Sequence, residues 1–168
     1  RAGRVGQFAG VADGGEGVEG WVAPGGAARE QPEAVLVAGD EAATADGNEK
    51  FSVRALTPLA DGEQSVEVSF GGIRQTYHGV KSILVKAGAG NDTVDLTGVA
   101  IAATVYGGSG DDVLKATRGG GTYYGDDGND TLTSEVASSD FLGVGDRFHG
   151  GSGNDLLKGL EGADRLFG

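Results

Sequence analysis

One nine-residue pattern recurs through the C-terminal half of the chain and fixes what that half can become. It first reads Ala87-Gly88-Ala89-Gly90-Asn91-Asp92-Thr93-Val94-Asp95. It returns as Gly107-Gly108-Ser109-Gly110-Asp111-Asp112-Val113-Leu114-Lys115 and as Gly125-Asp126-Asp127-Gly128-Asn129-Asp130-Thr131-Leu132-Thr133. A fourth copy is Gly150-Gly151-Ser152-Gly153-Asn154-Asp155-Leu156-Leu157-Lys158. A weaker fifth, Gly159-Leu160-Glu161-Gly162-Ala163-Asp164-Arg165-Leu166-Phe167, follows without a gap. In every copy position 4 is Gly, position 6 is Asp and position 8 is aliphatic.

Each position has a physical reading. Glycine at positions 1, 2 and 4 permits positive φ and a tight backbone bend. A bent backbone can aim several carbonyl oxygens at one centre, and the position-6 Asp adds an anionic oxygen. Calcium takes six to eight such oxygens in irregular geometry. The apolar residue at position 8 lies in a short extended segment and points inward, as strand alternation requires. A Gly/Asp-rich tract could instead be a flexible linker. Aliphatic residues held at a fixed phase argue for ordered repeats.

The spacing gives the architecture. The first four copies begin at 87, 107, 125 and 150, so the steps are 20, 18 and 25 residues. Two nonapeptides make one circuit of 18 residues; the first step then carries two inserted residues and the third seven. The intervening half-turns are degenerate. Residues 116–124 have Gly121 where Asp is expected, and 96–106 and 134–149 read as lacking the motif. If these half-turns also belong to the stack, the inward residues form two columns. Val94, Leu114, Leu132 and Leu157 make one; Val85, Val105, Tyr123, Phe148 and Leu166 make the other. All are apolar or aromatic, a check independent of the motif.

The repeats G-G-x-G-x-D-x-U-x resemble the RTX (haemolysin-type calcium-binding) nonapeptide family over about half the chain. The resemblance implies a parallel β-roll with calcium held between loops on the same edge of successive turns, by backbone carbonyls and the position-6 Asp. Carried over residue by residue, the candidate metal residues are Ala87, Ala89, Asn91 and Asp92 in the first loop and Gly107, Ser109, Asp111 and Asp112 in the second. They are Gly125, Asp127, Asn129 and Asp130 in the third and Gly150, Ser152, Asn154 and Asp155 in the fourth. Asp164, in the one complete loop of the opposite edge, is added. The side chains of Asp111, Asp126 and Asp127 read by default as solvated loop charges. Three features depart from the family pattern: Ala87 for the first Gly of copy one, Asp126 for the second Gly of copy three, and the insertion before copy four. The expectation is about three Ca2+ ions along one edge and at most one or two elsewhere, with Asp112 and Asp130 mattering most and Asp140 little.

Composition agrees. With 34 Gly, six Phe, one Trp and no Met among 168 residues, the chain suits a thin stack in which each turn covers the next. A net charge of −12 weighs against nucleic acid or an anionic membrane as partner. The lack of Cys removes disulfides, so calcium is the expected cross-link. No apolar run approaches the length of a membrane span, so membrane insertion is not expected.

The fold class expected is all-β: a parallel β-roll at 81–168, an antiparallel β region at 35–80 capping it, and a Gly/Ala-rich segment at 1–34. In that first segment, Val18-Glu19-Gly20-Trp21-Val22 reads as a strand with Trp21 as a core anchor, and Pro24-Gly25-Gly26 as a turn. Val35-Leu36-Val37-Ala38 is a short apolar run; 51–56 and 66–70 alternate with period two; Gly71-Gly72 signals a hairpin before 73–77; 83–85 leads into the repeats. The chain shows no signal peptide and does not begin with Met, and both ends read as cuts within a longer protein.

Other chemistry finds no support. The fifth position after each Gly-x-Ser-Gly is Asp or Asn, so there is no nucleophile elbow. No Gly-Lys-Ser/Thr follows a glycine run. An EF-hand counted from Asp126 places Ala137 where Glu is needed. His78 and His149 are far apart and read as surface or packing residues. The chain is therefore not read as an enzyme. Two functional classes stand. One is a calcium-stiffened segment of a large secreted bacterial surface protein (adhesin, surface-layer or filament type), with neighbouring copies or other surface proteins as partners. The other is the calcium-dependent folding module of a type I-secreted protease, lipase or pore-former. The first is preferred, because β-rich, Gly-rich sequence without a catalytic motif precedes the repeats. Residues 81–168 are expected to be mostly disordered without calcium, since the aliphatic columns look only one residue wide per half-turn.

Overall fold

The computed structural model describes residues 47–58, 60–70, 72–135 and 144–168, with the backbone of two earlier strands. The readings of residues 18–26, with Trp21, and of Asp140 lie outside the described residues. The strands are β1 (Gly6–Ala9), β2 (Ala34–Ala38), β3 (Lys50–Ala55), β4 (Gln64–Phe70), β5 (Ile73–Val80), β6 (Ser82–Ala89) and β7 (Thr93–Asp95). They continue with β8 (Ala102–Ser109), β9 (Val113–Lys115), β10 (Gly121–Asp127), β11 (Thr131–Thr133), β12 (Arg147–Ser152), β13 (Leu156–Lys158) and β14 (Arg165–Phe167). Among the described residues there is no helix.

The strands form two sheets. One has the order β1-β2-β6-β8-β10-β12-β14, and every pairing in it is parallel. The other has the order β13-β11-β9-β7-β3-β4-β5, parallel from β13 to β3 and antiparallel from β3 to β5. The chain alternates between the sheets: β6 in the first, β7 in the second, β8 back in the first, and so on. This is an all-β, parallel β-roll with an antiparallel region before it. The antiparallel character expected before the roll belongs to β3, β4 and β5. β2 instead joins the parallel sheet, pairing Val35 with Ile83 and Val37 with Val85. A short continuous apolar run fits a parallel strand better than an alternating one.

The two columns form in the anticipated register. Val94 pairs with Leu114, Leu114 with Leu132, and Leu132 with Leu157. Val85 pairs with Val105, Val105 with Tyr123, Tyr123 with Phe148, and Phe148 with Leu166. The first eight members down to Phe148 are buried, apart from half-buried Leu157, but Leu166 is 46% exposed. It lies on β14, the outermost strand of its sheet. The seven-residue insertion leaves register intact, since Thr131 pairs with Leu156 across it.

The core is wider than one residue per half-turn. Leu96, Val99 and Ile101 are buried where the chain crosses between β7 and β8, and Ala87, Ala103 and Ala116 fill beside the columns. All but Ala87 lie outside the motif, which is why its period does not show them. Phe51 stacks on Phe70 with centroids 4.5 Å apart, joining the antiparallel strands to the roll's core. Burial thins toward the C-terminus: after Phe148 the large apolar residues Leu156, Leu160, Leu166 and Phe167 are all exposed. On the outer face of the first sheet, Tyr106, Tyr124, His149 and Phe167 stack in a file with centroids 4.6–4.9 Å apart. His149 thus packs between two rings, and His78 meets the Ser65 hydroxyl at 3.0 Å.

Candidate metal centre

The loops between the two sheets stack along one edge. Ala89, Ser109, Asp127 and Ser152 occupy equivalent places on neighbouring strands, as do Gly88, Gly108, Asp126 and Gly151. So the position-3 residues of all four loops come together, and with them the loops that follow. Positions 2 and 4 have positive φ, as in Gly88, Gly90, Gly108 and Gly110. Asp126 keeps that conformation, with φ 74°, so the loss of glycine there leaves the turn in place. Asp is among the few side chains that tolerate this region.

Position 1 corrects the sequence reading. Gly107, Gly125 and Gly150 do not have positive φ. They are needed for space: a Cβ at Gly107 would fall against Asp112 Oδ2, one at Gly125 against Asp130 Oδ2, and one at Gly150 against Asp155 Oδ2. The first residue of each loop leaves room for the carboxylate of the sixth. Ala87, fully buried, stands at this place in copy one.

Two hydrogen-bond ladders tie the turns. Each position-6 carboxylate reaches back to the preceding turn. Asp112 Oδ1 accepts the Asp92 N–H at 2.7 Å, Asp130 Oδ1 the Asp112 N–H at 2.8 Å, and Asp155 Oδ1 the Asp130 N–H at 3.0 Å. Each position-5 side chain reaches forward. Asn91 Oδ1 accepts the Asp111 N–H at 2.9 Å, Asp111 Oδ1 the Asn129 N–H at 2.7 Å, and Asn129 Oδ1 the Asn154 N–H at 3.0 Å. The side chain of Asp111 is therefore exposed yet is a rung of this second ladder rather than a solvated charge alone. Asp127 is exposed.

The first ladder uses only one oxygen of each carboxylate. Asp92, Asp112 and Asp130 are each 1% exposed, and their Oδ2 atoms are buried without a hydrogen-bond partner. A buried, unpartnered anionic oxygen is costly. Burial pushes the Asp112 carboxyl up to about 7; the Asp92 N–H opposes the shift, and the charges of Asp92, Asp130 and Asp126 add to it. Asp130 is raised too, first by burial and then by Asp155 and Asp111 against the hydrogen bond from Asp112. A file of anions this poorly compensated suits a hard cation. Among the described residues no three His, Cys, Asp or Glu side chains converge as a metal cluster. Calcium fits such a place because backbone carbonyls supply much of its shell.

The opposite edge holds a shorter version that the sequence reading missed. Asp164 Oδ1 accepts the Asp146 N–H at 2.8 Å, the same contact that links the position-6 residues of the first edge. Asp146-Arg147-Phe148 is therefore the D-x-U part of a degenerate repeat, in the half-turn read as lacking the motif. Asp146 is 5% exposed and its Oδ1 is unpartnered. Burial pushes its carboxyl up to about 6, against hydrogen bonds from Ser134 and the Gly121 N–H. A search requiring glycine at positions 1, 2 and 4 passes over it; Asp two residues before an inward aromatic was the available signal.

Stacked glycine turns, short parallel strands and a file of buried carboxylates define a calcium-binding β-roll. Residues 102–132 and 143–168 match the family model of the RTX calcium-binding nonapeptide repeat, in four copies. Over these two stretches the chain is similar to the RTX calcium-binding repeat, a structural calcium-binding unit. Comparison with curated proteins and with solved structures gave no match.

Proposed function

We propose that this chain is a calcium-stiffened segment of a large secreted bacterial surface protein, of adhesin, surface-layer or filament type. In this reading residues 81–168 are the calcium-binding unit and 35–80 cover its N-terminal end. The observation that carries it is the row of buried, unpartnered Oδ2 atoms of Asp92, Asp112 and Asp130. About three calcium ions between the four loops of that edge would take these oxygens, with Asp155 at the end of the row. Carbonyls at positions 1, 3 and 5 would complete their shells. Calcium supplies the counter-charge that the carboxylate file lacks. The chain's own residues then space the carboxylates one turn apart, hold one oxygen of each on a backbone N–H, and leave the other oxygen of Asp92, Asp112 and Asp130 buried without a donor.

Asp112→Ala tests the assignment. Losing a residue that merely orients a metal ligand typically costs roughly 10- to 100-fold in affinity, and losing a ligand should cost no less. Calcium titration of the full chain, followed by circular dichroism, should show a midpoint at least about tenfold higher in Asp112→Ala. Asp61→Ala, on an exposed turn away from the roll's edge, should leave the midpoint where it is. Equal midpoints for the two variants would remove Asp112 from the site.

A further inference from the structure

The ladder on the first edge does not begin at residue 87. Asp92 Oδ1 accepts the Glu49 N–H at 2.8 Å, the contact by which each later position-6 carboxylate grips the turn before it. Asn48 Oδ1 accepts the Asn91 N–H at 2.7 Å, the contact made by each later position-5 side chain. The Thr93 N–H donates to the Glu49 carbonyl at 2.8 Å, as the Val113 N–H does to that of Asp92 and the Thr131 N–H to that of Asp112. Phe51 pairs with Val94 at the head of the inward column. A Cβ at Gly90 would fall against the Gly47 carbonyl, just as one at Gly110 would fall against that of Gly90. Gly47-Asn48-Glu49-Lys50-Phe51-Ser52 therefore occupies positions 4 to 9 of a further repeat on this edge, with Glu where the others have Asp.

From this register we infer a fourth calcium site on the first edge, between the turn at 47–49 and the loop at 87–92, with the Glu49 and Asp92 carboxylates as its charged ligands. Asp92 gives independent support. Were 87–92 the end of the row, its carboxylate would face solvent, as half-exposed Asp155 does at the other end. It is instead 1% exposed, its Oδ1 lies on the Glu49 N–H, and its Oδ2 is buried without a donor. Glu is one methylene longer than Asp and is an ordinary calcium ligand. Glu49 is half-buried and stands one rung before Asp92 in the file. The family match, which starts at residue 102, does not reach this turn. A calcium here would clamp the antiparallel strand β3 to the roll, so binding would order the junction as well as the repeats.

This inference rests on the reading of the first edge as a calcium site, and the test separates the two. Equilibrium dialysis of the full chain against saturating calcium counts the ions bound by the wild type, Glu49→Gln and Glu49→Asp. Glu49→Gln should bind one ion fewer, and Glu49→Asp should regain it. An unchanged count in Glu49→Gln, with the wild type binding calcium, overturns the fourth site and leaves the others standing. No calcium bound by the wild type overturns both. Should Glu49→Gln lose its fold in calcium, the wild type decides alone: the backbone amide resonances of Asn48 and Glu49 shift during a calcium titration. If they stay fixed while those of Asp112 and Asp130 move, the site is absent.

Discussion

In excess chelator the C-terminal turns of the full chain should lose their β structure and their protection from amide hydrogen exchange, and millimolar calcium should restore both. Two terms oppose folding without metal. The carboxylates of Asp92, Asp112, Asp130 and Asp155 are brought into one file, and the glycines of every loop lose more backbone entropy than other residues would. Against these stands apolar burial, which is uneven along the roll. Between Ile83 and Ala116 the chain buries Val85, Val94, Leu96, Val99, Ile101, Val105 and Leu114. Beyond Phe148 no large apolar side chain is fully buried, and Leu156, Leu160, Leu166 and Phe167 are exposed. The loss in chelator should therefore be graded: complete at 144–168, and least at the strands that pack on Phe51 and Phe70. Extracellular calcium modules bind at roughly 10⁻⁴ to 10⁻³ M. At about 1 mM calcium each site then adds roughly 0.4 to 1.4 kcal/mol to the folded state. Three or four sites together then add roughly 1 to 6 kcal/mol, a sizeable share of a typical domain's stability of about 5–15 kcal/mol. Full protection of 144–168 in chelator would show that the roll holds without metal.

The second large effect is expected from one methyl group. Gly108→Ala places a Cβ on the Gly88 carbonyl oxygen of the preceding turn, well inside van der Waals contact. The backbone there has φ 109°, outside what alanine readily adopts. Neither problem can relax alone, because Gly108 is paired on both sides, with Gly88 and Asp126. Strain at a special φ combined with a backbone clash belongs to the small class of severe substitutions, on the order of 3 kcal/mol or more. Thermal melts in saturating calcium should show a large drop for Gly108→Ala. A comparison at Gly98, which has positive φ of 82° but open space around it, should lose only the conformational part. Equal losses at the two positions would mean that turn-to-turn contact is not what position 2 protects.

Much of this was legible in the sequence because the repeat states its own geometry. Phase alone located the loops, the two columns and the edge along which Asp92, Asp112, Asp130 and Asp155 line up. The turns it missed share one cause. Asp146 sits in a turn without glycine at positions 1, 2 or 4, and the Glu49 turn keeps only Gly47 at position 4, yet their backbone N–H groups meet carboxylates one turn away in register. Ladder membership is set by where a backbone N–H falls, which a residue pattern does not record. Leu96, Val99 and Ile101 widened the core from crossings that carry no repeat. The reading of position 1 failed differently: glycine there serves the Asp side chain, a contact within one loop that conformational preference alone does not reveal.

The central claim is that the file of buried carboxylates on the first edge holds calcium. The most direct measurement is an anomalous difference map from crystals of the full chain grown in calcium. The account predicts a row of peaks along the first edge, each within about 2.3–2.6 Å of a position-6 carboxylate oxygen. It predicts at most a short group on the opposite edge, beside Asp146 and Asp164. Rows of equal length on both edges, or no peak beside Asp112 and Asp130, would contradict it.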